Sequence, residues 1–299
     1  MFKKNSTIKT KNSAFSLIEL SIVFLIIAIL IAGASQGYGL VKSARISNAR
    51  SITAKSPISQ TPGLQAWYET TLKDSFDQSQ VIDGAQLTKW KDICSSSILT
   101  GINILTTTAS PNVTYSQSSI NKLPAVKFNG TGKLSLLAFT QAYSEATIFL
   151  VIKLNYVPDA SNYKTIFDGF STSDDFSFSI KNDMAQVYAG GTIAGAHTNS
   201  VANSFLNSGE YAIAVYFNGT SSKVFLNNTE STLGGNNNIF DSGTNQLAGL
   251  TLGTNKSGLL GFNGFISEVA IFNRAIKSTE RKEIFNYFSK KYKIDITGV

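Results

Sequence analysis

The sequence predicts a mainly β chain, one large antiparallel β-sandwich, preceded by a long N-terminal hydrophobic α-helix. Three observations carry this. A basic leader runs into a long apolar stretch at residues 17–32, interrupted only by Glu19 and Ser21. From about residue 63, short apolar-alternating runs are separated by Gly, Asn, Ser and Asp clusters, the pattern of strands and turns. A sustained helical pattern returns only near the C-terminus, over residues 278–292.

The N-terminal element is justified by charge and length. Lys3, Lys4, Lys9 and Lys11 precede Phe15 with no acid among them, which holds that end in the cytoplasm while the apolar run enters the membrane. About 20 helical residues rising about 1.5 Å each cover a hydrocarbon core of about 30 Å. An acid within such a run costs on the order of 2.5 kcal/mol, so Glu19 is a functional candidate by default. In a chain beginning at Phe15 it is the fifth residue, and it can meet the free amino terminus of a neighbouring copy, cancelling two buried charges together.

The stretch Lys11-Asn12-Ser13-Ala14-Phe15-Ser16-Leu17-Ile18-Glu19 resembles the leader and first helix of type IV prepilins and pseudopilins. Ala14 stands where that family most often has glycine. The resemblance implies cleavage of the Ala14–Phe15 bond by a membrane-embedded prepilin peptidase, N-methylation of Phe15, and assembly with other pilin or pseudopilin subunits through Glu19. It implies residence in the bacterial inner membrane, then in a periplasmic or extracellular filament or at the cell surface. The expected division is a leader at 1–14, a membrane-anchoring and assembly helix at 15–56, a linker at 57–62 and a sandwich at 63–299. Two other readings stay open: a secretory signal peptide cut at Ala32-Gly33-Ala34, and an uncleaved anchor.

Charge then bears on function. The chain has a net charge of +7, but eight of its 26 basic residues and one of its 19 acids lie in the first 56 positions. The remainder is balanced, which argues against nucleic-acid binding by the globular part. The pairs Arg281-Lys282 and Lys290-Lys291 are read as a solvated helix face.

Strands are predicted over residues 125–128, 146–154, 176–180, 211–217, 223–226 and 264–272. Asn129-Gly130, Asn218-Gly219 and Asn263-Gly264 are read as turns, with Asn218-Gly219 closing a hairpin. The final helix is expected to be capped by Ser278 or Thr279, with acids early and lysines late. The passages Leu64-Gln65-Ala66-Trp67-Tyr68, Lys89-Trp90-Lys91-Asp92 and Gly264-Phe265-Ile266-Ser267-Glu268-Val269-Ala270-Ile271-Phe272, in that order, resemble the concanavalin A-like, laminin-G-type sandwich. That fold hosts lectins, adhesive modules and glycosidases, so it does not by itself assign an activity.

Candidate chemistry in the head is sparse. No Glu-x-Asp-x-x-Glu glucanase pattern is present, and Glu268 has no acid at the alternating positions of its own strand, so it is read as structural. His197 lies in a small polar stretch without a nucleophile motif beside it. Cys94 is the only cysteine, which excludes an intrachain disulfide and reads as a small buried residue. Trp67 and Trp90 are read as core. The laminin-G resemblance implies calcium in a rim loop, and Asp168, Asp174 and Asp175 are the candidate calcium or ligand loop, with ordinary turn chemistry as the alternative. The chain is thus expected to be a minor-pilin-like subunit with a lectin-like head for a glycan or surface protein, and not an enzyme. Alternatives are a pseudopilin of a secretion or DNA-uptake system, a secreted lectin and a glycan-active enzyme. Replacement of Ala14 by leucine is expected to leave the leader attached; on immunoblots the variant runs as the unprocessed form, and normal processing would remove the prepilin assignment.

Overall fold

A computed structural model of the chain describes residues 16–94, 103–107, 112–155, 164–169, 176–181, 184–188, 199–201, 209–230 and 246–299, with backbone alone for 181, 184–188 and 199–201. The chain divides into two compact units, Met1–Ser47 and Asn48–Val299. The helix α1, Leu17–Ala54, supplies the described part of the first unit and ends in the second. It is long and apolar enough to cross a membrane, and Leu17, Phe24, Leu25, Leu30 and Ile31 are among its exposed apolar side chains. Gly33, Gly37 and Gly39 remain helical.

Among the described residues, the second unit is a sandwich of two eight-stranded antiparallel sheets. In chain order the strands are β1 (Leu64–Glu69), β2 (Lys89–Trp90), β3 (Leu105–Thr106), β4 (Val113–Ile120), β5 (Leu123–Asn129), β6 (Leu134–Leu136), β7 (Ala146–Leu154), β8 (Lys164–Asp168), β9 (Ser177–Lys181), β10 (Met184–Tyr188), β11 (Asn199–Val201), β12 (Glu210–Phe217), β13 (Lys223–Leu226), β14 (Thr229–Glu230), β15 (Leu250–Leu252) and β16 (Asn263–Phe272). The first sheet runs β14-β13-β12-β7-β16-β5-β4, with β1 also paired to β16; the second runs β11-β10-β9-β8-β15-β6-β3-β2. All six predicted strands are present within one or two residues, and the predicted terminal helix is α2, Ser278–Tyr292.

Both faces of the first sheet are covered, which is why its central strands read as nearly unbroken apolar runs rather than as alternation. In β7, Ile148, Leu150, Ile152 and Leu154 face the core between the sheets, while Phe149 and Val151 face the opposite way. In β12, Ile213, Val215 and Phe217 face the core between the sheets, and Ala212, Ala214 and Tyr216 lie on the other side. That second cluster is closed by Ile284, Phe285, Phe288 and Tyr292 of α2 together with Ala49 of α1. Phe149 packs its ring edge-on against Phe272, Phe285 and Phe288 at centroid distances of 5.8 to 6.2 Å. Trp90 is fully buried between the sheets beside Tyr68 and Phe76, and Trp67 is buried on the helix side.

Several details differ from the sequence reading. The last turns of α1 belong with the head instead of ending in a linker: Ala49 and Thr53 are buried, and Arg50 Nε donates to the Thr71 carbonyl oxygen at 2.7 Å. The linker itself forms a short 3-10 helix, Pro57–Gln60, with Ser56 Oγ accepting from the Ile58 amide. Asn218-Gly219 does close the β12–β13 hairpin, but in a longer loop whose first pair is Tyr216–Lys223. Asn263-Gly264 is the start of β16, not a turn; Gly264 is required there because a Cβ would stand 2.5 Å from the Lys153 carbonyl oxygen.

Helix α2 starts without a Ser or Thr cap. Lys277 is the N-cap residue, and its amide is satisfied by the Glu280 side chain at 2.9 Å. Glu280 also pairs with Arg274 at 2.7 Å, and that hydrogen bond holds its carboxyl below the usual range. A carboxyl lowered in the native state adds stability above its unfolded pKa, about 4.3, and loses it as pH falls through the lower native value. Glu280→Gln, which keeps the amide bond, is expected to cost about 0.5–1 kcal/mol at neutral pH in urea unfolding, with the gap to wild type closing in acid. A gap that persists below the native pKa would reject the ion pair as its source.

Candidate functional site

At the start of α1, local chemistry places the residue singled out by its charge. Ser16 Oγ accepts from the Ile18 amide at 3.3 Å, and Glu19 Oε2 accepts from the Ser16 amide at 2.9 Å. Ser16-Leu17-Ile18-Glu19 is thus an S-x-x-E pattern immediately before the apolar run, with the glutamate half of a capping box and the serine accepting from the second helical amide rather than the third. The sequence carries this signal openly. Within a single subunit the Glu19 carboxylate is thus engaged by the backbone at the helix start, where an acid is also favoured by the helix dipole. Ala14 and Phe15 lie outside the described residues.

In the head, the groups brought together most closely are not those marked by motif. Glu69 on β1 and Glu268 on β16 are direct cross-strand partners, and both are fully buried. Reading along one strand shows no partner for Glu268, because the partner comes from a strand about 200 positions earlier. A bulge between Ile266 and Glu268 changes the face of β16: Ile266 and Val269 point into the core between the sheets, while Glu268 points to the helix side. There it meets Lys291 of α2, whose Nζ lies 2.9 Å from Glu268 Oε2, contacts Glu69 Oε1, and donates to Tyr287 Oη at 3.0 Å.

The remaining acceptor positions are filled. Glu268 Oε1 accepts from Trp67 Nε1 and Tyr287 Oη, each at 2.8 Å, and Oε2 accepts from Tyr292 Oη at 2.7 Å. Glu69 Oε2 accepts from the amides of Thr71 and Leu72, each at 2.8 Å, and Oε1 from Thr71 Oγ1 at 2.5 Å. Thr53, from the last turn of α1, lies 3.3 Å from Tyr287 Oη. Burial pushes the Glu268 carboxyl above its ordinary range, against the pull of Lys291. The Tyr287 and Tyr292 phenols are raised well above theirs, by burial and then by the charge of Glu268, so both remain donors. Lys291 corrects the expectation of a solvated Lys290-Lys291 face: it lies one turn beyond Tyr287 on the buried stripe of α2, where two carboxylates compensate its charge.

Of the expected calcium loop, only Asp168 lies among the described residues. Asp168 ends strand β8, fully buried, with Oδ2 accepting from the Lys256 amide at 2.8 Å. Asp174, Asp175 and His197 lie outside the described residues. No group of three or more His, Cys, Asp or Glu side chains converges among the described residues. Cys94 is buried, and burial raises its thiol pKa far above the ordinary value. On the second sheet Ser135 and Thr251 are cross-strand partners, with their hydroxyls 3.2 Å apart, and Thr251 also pairs with Asp168; all three are buried.

Comparison with known proteins separates the two parts. Residues 9–35 carry the prokaryotic N-terminal methylation motif. The N-terminus is type IV pilin-like. No curated protein sequence matches the chain. The sandwich is similar in fold to Trypanosoma rangeli sialidase in complex with the inhibitor DANA (15% identity, TM-score 0.50), with 75% of this chain covering 33% of that one. It is similar also to the binding domain of Paraclostridial Mosquitocidal Protein 1 (11%, TM-score 0.52, 77% and 53%) and to that of Botulinum Neurotoxin DC in complex with SialylT (13%, TM-score 0.50, 77% and 52%). This chain therefore spans about a third of the sialidase and about half of each toxin domain. At these identities the likeness shows a β-sandwich fold and nothing finer.

Lys291→Met would strand two facing carboxylates in the core. Its expected cost is about 3–5 kcal/mol, read from the urea midpoint of the detergent-solubilised chain. A loss below about 1 kcal/mol would show that the cluster does not hold α2 to the sheet.

Proposed function

We propose that this chain is a minor-pilin-like subunit, processed by prepilin peptidase, held in the inner membrane by α1 and incorporated through it into a filament that displays the sandwich as a binding head. The observation that carries the reading is the methylation motif at residues 9–35, lying on a helix whose apolar side chains are exposed along one membrane-spanning length. Cleavage after Ala14 would free the Phe15 amino terminus. Glu19, which caps its own helix in the single subunit, would then exchange the Ser16 amide for the amino terminus of an adjacent subunit as lipid gives way to neighbouring helices.

For the head we propose binding, to a glycan or a surface protein, in preference to catalysis. The lectin-like sandwich supports this, as do two neighbours described as binding domains. The likeness to a sialidase does not weigh against it: the paired carboxylates Glu69 and Glu268 are sealed and matched to Lys291, so they cannot flank a sugar. A pseudopilin role shares the same N-terminus and differs in that the head meets only other subunits.

The reading is tested on protein recovered from the native membrane fraction. The mature chain is expected to begin at Phe15, one methyl group heavier, whereas a chain starting at Ser35 would identify a secreted domain. Glu19→Ala is expected to be cleaved normally yet to drop out of sheared filaments, and incorporation at the wild-type level would sink the charge-pairing account.

A further inference from the structure

The Glu69–Lys291–Glu268 cluster has more order than an ion pair requires. Lys291 Nζ and the Glu69 carboxylate touch with no exposure of either side chain. The Glu69 oxygen not in contact with Lys291, Oε2, receives two fixed backbone amides, from Thr71 and Leu72, each at 2.8 Å. That is the donor arrangement that stabilises the oxyanion of a tetrahedral acyl intermediate. Glu268 is held by Trp67 and Tyr287 on Oε1, so that Oε2 is presented to the Lys291 amine at 2.9 Å, within reach for proton transfer.

We propose that Lys291 and Glu69 form an intramolecular amide cross-link, with Glu268 as the proton carrier. Glu268 Oε2 takes one proton from the ammonium and passes it to Glu69 Oε1, and the amine attacks Cδ of the resulting carboxylic acid. The new C–N bond places negative charge on Oε2, between the Thr71 and Leu72 amides. Collapse breaks the Cδ–Oε1 bond. Oε1 leaves as water, carrying the proton passed on by Glu268 and a second one from Nζ; the third stays on the amide nitrogen. Ammonium and carboxylate become amide and water, charge is conserved, and no oxidant, reductant or cofactor is needed. Condensation replaces one desolvated cation and one desolvated anion by a neutral group, and Glu268, then without a cation, keeps its hydrogen bonds from Trp67, Tyr287 and Tyr292. Burial raises the Glu268 carboxyl, which suits it to hold and return a proton.

The link would join β1 to α2 across 222 positions of the sequence, closing almost the whole head into one covalent ring. With a single cysteine in the chain, the head has no disulfide to restrict its unfolded state, and an amide at this position restricts it in the same way. The proposal is independent of what the head binds and of how the leader is processed.

The test is proteolysis of the full-length protein extracted in detergent, followed by tandem mass spectrometry. The expected product is a branched peptide that joins the fragments containing Glu69 and Lys291 and is one water lighter than their sum. Recovery of both residues only in separate linear peptides of full mass would overturn the proposal. In Glu268→Gln the cross-link is expected to form about 100-fold more slowly or not at all; formation at the wild-type rate would remove Glu268 from the reaction. If that variant does not fold, the wild-type digest alone decides.

Discussion

The head is organised around one constraint: two carboxylates directly opposite each other on adjacent strands of the first sheet, both removed from water, need a cation brought to them. Like charges facing across a β pair oppose folding, and a carboxylate without compensation in the interior costs several kcal/mol. Lys291 answers both demands, and because it stands on the last turn of α2, it fixes where that helix lies against the sheet. Tyr287, Tyr292 and Trp67 complete the acceptors of Glu268, so the cluster also sets the rotation of the helix about its axis. Thr53 and Arg50 tie the last turns of α1 to the same region.

This polar centre is enclosed by an aromatic layer. Phe149, Phe272, Phe285 and Phe288 pack edge-to-face around the same side of the sheet, and the Arg281 guanidinium lies 3.7 Å over the Phe225 ring. The first sheet is therefore covered twice, by the second sheet and by α2. The carboxylate pair is thereby sealed between the first sheet and α2. The Ser135, Thr251 and Asp168 row belongs to the second sheet and is buried as well. The N-terminal part obeys the opposite logic, with apolar side chains left exposed along α1 and its one acid held at the helix start by the Ser16 amide. Such a surface is satisfied only by lipid or by other helices.

Much of this was legible in the chain itself. The strands at 146–154, 211–217 and 264–272, the terminal helix, the burial of Trp67, Trp90 and Cys94, and the methylation segment all follow from local pattern, because period, turn residues and the flanks of an apolar run are properties of neighbouring positions. The same is true of the S-x-x-E pattern at Ser16 and Glu19, which the reading of charge alone passed over. Misreadings arose where local pattern is degenerate. Asn263-Gly264 has turn chemistry, yet its glycine serves a close backbone approach inside a strand. Lys290-Lys291 resembles an exposed pair, yet adjacent helical positions point about 100° apart, and one of the two faces the sheet.

By itself, then, the sequence determined the division into a membrane-type helix and a β-rich head, the methylation-motif segment, and the apolar supply of the core. Only the tertiary structure decided that Glu69, Glu268 and Lys291 form one buried unit. Their positions are separated by up to 222 residues, and their contact depends on a bulge in β16, the pairing of β1 with β16 and the seating of α2. Each of these is settled by packing between distant segments, and no local periodicity encodes it.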